Sequence, residues 1–203
     1  MQTFTSLIPE NVDGKPLDVE KQVMEKSTDK AISVYRMAYN RLKNPDSWDK
    51  MPGFDFASFM LRKRNSNSSE QFIEIGDHIS IDIPGPGPNN GDGLDWVRLE
   101  DMQENFDNTA DESFGMRVRA CANPVHDTGN IAAHFFKDKA TSTFIIKRKG
   151  QTVTVYYYGR NEVVNLKNAS LHDKIRNTAV ALVALSGFSK MQWNSFIACL
   201  LKK

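Results

Sequence analysis

Cysteine is nearly missing from this chain: Cys121 and Cys199 are the two in 203 residues. Two thiols build neither a disulfide framework nor a four-cysteine zinc site, and such sparse use suits a reducing compartment, most simply the cytoplasm. Long apolar runs are missing too. The longest, Ala179 to Leu185, is far shorter than the ~20 residues that span a bilayer, and the first twenty residues hold no apolar block of the signal-peptide kind. No membrane partner is therefore expected. Histidine is scarce, with four in the chain. HExxH, GxSxG and CxxC do not occur. Gly85, Gly87, Gly91 and Gly93 are interrupted by prolines and open no helix, which excludes a glycine-rich phosphate loop. These absences name no enzyme class and leave any cofactor unknown.

What is present is a real core and an uneven charge layout. The 40% hydrophobic share exceeds that of a disordered chain. The formal net charge of +1 hides a division by segment: residues 70–136 carry 3 basic and 13 acidic side chains, and residues 137–203 carry 12 basic and 3 acidic. The two segments either face each other in one fold and neutralise locally, or leave a basic C-terminal face for an anionic partner.

The centre of the chain is the stretch Gln71 to Glu100. Ile73, Ile75, Ile79, Ile81 and Ile83 all fall at odd positions with polar residues between them, which predicts a strand with one face in a core. Gly76-Asp77 allows a bulge in it. Pro84-Gly85-Pro86-Gly87-Pro88 stops it, Asn89 to Gly93 turns, and Leu94 to Met102 returns. Before this pair, residues 1–27 form an arm with a short helix near Asp18, and residues 28–203 form one domain. An amphipathic helix from Thr28, as N-cap, to Lys43 carries Ile32, Tyr35, Tyr39 and Leu42 on one stripe. Phe54 to Arg62, apolar on both sides, predicts a buried strand. After the pair come an acidic loop over Glu104 to Glu112 and a strand over Ser113 to Cys121. Thr141 to Asn161 then reads as a hairpin with Lys149-Gly150 at its turn and TVTVYYY on its return. Two helices close the chain, one over Ser170 to Ser186 and one beginning near Ser189. The fold class is α+β: a strongly curved antiparallel sheet or small β-barrel, preceded by the amphipathic helix and closed by a C-terminal helical hairpin.

Three functions compete. The first is a non-catalytic module that binds a small molecule or a partner protein. Its candidate ligand residues are Trp96, Tyr156 and Tyr158, with Arg117 and Arg119, which lie on one strand face roughly 7 Å apart. Those arginines could grip an anion or answer carboxylates on a neighbouring strand. The second is a hydrolase or metal-dependent enzyme using Cys121, His126, Asp127 and His134, whose residue types suit a zinc or thiol site but whose spacing matches no signature. The third is nucleic-acid binding through Arg62, Lys63, Arg64, Lys147, Arg148 and Lys149, with the acidic middle of the chain opposing it.

Overall fold

The structure, a computed structural model, describes residues 4–54, 56–65, 71–83, 91–106, 111–125, 136–163 and 188–202. Seven strands form one antiparallel sheet. They are β1 (Leu17–Met24), β2 (Ser58–Arg62), β3 (His78–Asp82), β4 (Asp95–Phe106), β5 (Asp111–Ala120), β6 (Thr141–Lys149) and β7 (Thr152–Arg160). Their order in space is β1-β7-β6-β5-β4-β3-β2, so β1 and β2 are the two edges of a curved, open sheet. A register shift between Leu99 and Asp101 bends β4 against β5.

Helix α1 (Thr28–Lys43) forms for local reasons. The Ser27 hydroxyl accepts the Lys30 N–H, Asp29 sits in the first turn, and Arg41 and Lys43 sit in the last, each sign complementing the helix dipole. Ala31, Val34, Tyr35, Ala38 and Leu42 recur at helical spacing and are all buried. They meet the inner sheet face, where Phe114, Met116, Val118, Phe144, Ile146, Val153, Val155 and Tyr157 alternate inward along β5, β6 and β7. Helix α2 (Phe188–Leu201) completes this core with Phe196, Ile197 and Leu200. Trp48 packs edge-on to Phe196 with centroids 5.0 Å apart.

The outer face has its own cover. A 3-10 turn at Phe4–Leu7 sets Phe4 and Leu7 against Ile145 of β6. Gly115 on β5 permits the approach: a Cβ there would stand 2.5 Å from Leu7 Cδ2 and 2.8 Å from Phe4 Cδ1.

The curved antiparallel sheet, the span of α1, β5 and the β6–β7 hairpin match the sequence reading, but the N-cap of α1 is Ser27 rather than Thr28. Four further expectations are corrected. The arm with a helix near Asp18 contains strand β1, so the sheet begins before α1 rather than after it. The run Ile73 to Ile83 is not one strand. Ile73 to Asp77 makes a turn closed by the Asp77 N–H on the Glu74 carbonyl, with Gly76 at φ +93°, and Ile75 is left exposed. The buried strand over Phe54 to Arg62 shrinks to β2, an edge strand with alternate residues exposed, while Phe54 packs from a loop. Residues 104–106 and 111–112 of the expected acidic loop belong to the ladder, with Phe106 opposite Glu112. The PGPGP stop and the helix over Ser170 to Ser186 lie outside the described residues.

Candidate functional site

Just past β7, Asn161 adopts φ +57° and turns the chain. Its side chain accepts the N–H groups of Val12 and Asp13 at 2.8 and 3.1 Å and donates to the Glu10 carbonyl at 3.0 Å. The turn brings Glu162 back onto Gly159, where a Cβ would lie 2.5 Å from Glu162 Oε1. Gly159 pairs with Ser142, and Tyr157 pairs with the inward-facing Phe144. Gly159, Ser142 and Tyr157 therefore share the inner face.

Glu162, Tyr157 and Ser142 form a chain of polar groups at this end of the inner face. The Tyr157 hydroxyl donates to Glu162 Oε1 at 2.9 Å, and Ser142 Oγ lies 3.1 Å from the same phenol oxygen. With the phenol proton engaged at Glu162, Ser142 donates to Tyr157. Tyr157 is fully buried, and its ring stacks on Trp193 of α2 with centroids 4.1 Å apart and planes 15° apart. Burial pushes the Glu162 carboxyl up to about 7, against the opposing influence of the Tyr157 hydrogen bond and the Arg160 charge. Burial likewise raises the Tyr157 phenol well above its ordinary value, with the Glu162 charge adding to it. Beside the carboxyl is a void of about 20 Å³, walled by Val97, Val118, Ala120 and Phe136 and bordered by Ser142 and Glu162. It has room for one water-sized group.

The residues singled out in the sequence go elsewhere. Arg117 and Arg119 both bind Glu100 of β4, and Arg117 also donates to the Leu7 carbonyl. Burial disfavours the Glu100 charge, but hydrogen bonds from Arg119 and the charges of both arginines outweigh it and hold the carboxyl below its usual range. Tyr156 and Tyr158 stack on each other at 6.2 Å on the outer face, with the Arg160 guanidinium 5.4 Å from the Tyr158 ring. Trp96 is buried and donates to the Gly91 carbonyl. Cys121 is half-buried, and burial pushes its thiol up to about 12, which leaves little thiolate at neutral pH. His126, Asp127 and His134 lie outside the described residues. No group of three metal-binding side chains occurs among the described residues, and no helix among them is long and apolar enough to cross a membrane.

Of the six basic residues of the nucleic-acid reading, Arg62, Lys63, Lys147 and Arg148 are engaged, while Arg64 and Lys149 are exposed. Arg148 is buried against Glu112, Lys63 against Asp77, and Arg62 donates to Ser80. The Arg148–Glu112 pair joins the basic third of the chain to its acidic middle across β5 and β6.

No family model and no curated protein matches the sequence. Among solved structures, the chain is similar to the STAR-related lipid transfer protein of Xanthomonas axonopodis. The identity is 13%, with 91% of this chain and 86% of that one covered and a TM-score of 0.43. It is similar to Ara h 8.0201 at 9% identity, covering 93% and 100% with a TM-score of 0.37. The major latex-like protein 151 of Panax ginseng gives 11%, 86% and 98%, and 0.37.

Sequence reasoning did not single out Glu162. The available signal was its isolation: after residue 136 the acids are Asp138, Glu162 and Asp173, and Glu162 directly follows the aromatic strand.

Proposed function

We propose that this chain is a small-ligand-binding module whose seat is the Ser142–Tyr157–Glu162 end of the inner sheet face. One observation carries the reading. A carboxyl is held by a single phenol in an apolar wall, beside a void, where a core built for stability alone would place an apolar residue. Burying such a group costs free energy, and apolar replacements of similar volume are commonly neutral or better. A concave, largely apolar surface with a few convergent polar groups is the usual form of a small-molecule seat. The void at rest admits a water-sized group, so a larger ligand enters by displacing Phe136. Thiol catalysis at Cys121 is disfavoured by the raised thiol, and the engaged arginines and lysines speak against nucleic acid.

Native mass spectrometry of the purified chain, compared with the same sample denatured, tests the reading. The expected result is an added small-molecule mass in the native spectrum alone, reduced in Tyr157→Phe. An added protein mass would move the reading to a partner protein. A native spectrum equal to the bare chain overturns the seat.

A further inference from the structure

We propose that the seat at Glu162 takes a primary ammonium group, the head of a small alkylamine, and discriminates against the carboxylate and the alcohol of the same carbon skeleton. This rests on the reading of this end of the sheet as a ligand seat and adds the chemical class of its occupant.

Among the described residues, the hydrogen bond to Glu162 comes from Tyr157, a neutral donor, and no ion pair reaches the carboxyl. Arg160 is the neighbouring cation, but it is committed elsewhere. Its guanidinium lies over the outer-face Tyr158 ring and binds Asp18 and the Gly159 carbonyl. At this end of the inner face, Glu162 therefore has no ion-pair partner among the described residues.

Hydrogen-bond capacity points the same way. An ionised carboxylate offers about four acceptor positions and no donor. Tyr157 fills one of those on Glu162. Ser142 spends its proton on the phenol oxygen and keeps only acceptor capacity. What remains unmet beside the void is thus acceptor capacity at Glu162 and Ser142, together with the one unpartnered hydroxyl of Thr141. A primary ammonium brings three donors and no acceptor, whereas a carboxylate brings acceptors and a second negative charge. An alcohol brings a single donor without charge.

Size and surroundings complete the match. An ammonium head is close to a water molecule in size, and the void is about 20 Å³. Val97, Val118 and Phe136 supply apolar surface for the first carbons of an alkyl tail. Among the described residues this end of the sheet includes no group of three metal-binding side chains.

Isothermal titration of the full chain with butylamine hydrochloride, butan-1-ol and sodium butyrate, in mildly alkaline buffer, tests the assignment. Butylammonium should bind at least about tenfold tighter than either of the others, as a charge-assisted hydrogen bond would give. Glu162→Gln, which keeps shape and removes charge, should erase that preference. Glu162→Asp, which withdraws the carboxylate by one methylene, serves as a second variant and should weaken it if Glu162→Gln does not fold. Equal binding of the alcohol or butyrate overturns the ammonium assignment and leaves the seat standing. So does a preference that survives a folded Glu162→Gln. Binding of none of the three also overturns the assignment. If that result comes with a bare native mass, the seat itself falls.

Discussion

The Tyr157 hydroxyl donates to Glu162 Oε1 at 2.9 Å while Trp193 lies flat on the same tyrosine ring, 4.1 Å away. One side chain thus joins the polar end of the sheet to α2. Tyr157→Phe keeps the stacked ring and removes the proton that Glu162 accepts, and it also leaves Ser142 without its acceptor. The expected cost is about 1–3 kcal/mol, as for a buried polar group left unmatched. The loss should be larger in alkaline than in mildly acidic buffer, because the hydrogen bond favours the charged carboxyl. Urea denaturation in the two buffers measures this, and an equal loss in both would refute the role.

Glu162 predicts a pH dependence of stability in its own right. Its folded value, about 7, lies above the ordinary 4.5. Between those values the folded chain keeps a proton that the unfolded chain has lost. Unfolding therefore becomes easier as pH rises through that window, and the effect levels off above the folded value. Because Glu162 retains some exposure, the loss should be on the order of 1–3 kcal/mol rather than the full shift. Glu162→Gln should flatten the profile across the same window. Thermal melts of both proteins from acid to neutral pH give the comparison, and a sloped profile in the variant would assign the effect to another group.

Much of this fold was legible because burial follows period. Phe114, Met116 and Val118 alternate inward on β5 and Ala31, Tyr35, Ala38 and Leu42 recur on α1. β1 escaped notice because it is an edge strand. Lys21 occupies the inner register between Val19 and Val23 and breaks the alternation that Leu17 and Val19 begin. Ile75 misled for a different reason: the turn around it is set by an Asp77 carboxylate that reaches Arg64, a contact between distant residues that alternation cannot register. At the site, three consecutive tyrosines put rings on both faces of β7, and the pattern alone does not say which face meets the helices.

Gly115 is a test of how the outer face is covered. A side chain there meets Leu7 and Phe4 at 2.5 to 2.9 Å. Those contacts are ends of flexible side chains on a short N-terminal turn, so Gly115→Val should lift the turn from the sheet rather than unfold the core. The exposed Phe4, Leu7 and Ile145 should cost about 2–4 kcal/mol of burial. Limited proteolysis should cut the first fifteen residues faster in the variant while the remaining core keeps its protection. A cut pattern unchanged from the parent would mean that the turn does not depend on this glycine.

Asp77 makes the last prediction. The residue is 2% exposed, and its carboxylate accepts the Arg64 N–H at 2.8 Å and the Glu74 N–H at 2.9 Å while Lys63 Nζ lies 2.7 Å away. Its carbonyl accepts the Leu99 N–H, and the Gly76 N–H returns to the Leu99 carbonyl, so the turn is also tied to β4. Ile73 is buried because this turn holds it inward. Asp77→Ala removes the acceptor for two backbone donors, while Lys63 keeps Glu74 at 2.8 Å and the Phe72 carbonyl. A loss of about 2–4 kcal/mol is expected, from the two donors left unmatched. Asp77→Asn keeps one good acceptor and should fall between the variant and the parent. Hydrogen exchange locates the effect: the Arg64 and Glu74 amides should lose protection first, ahead of amides in β6 and β7. Uniform loss across the sheet would show that Asp77 acts on the whole core instead of on the turn.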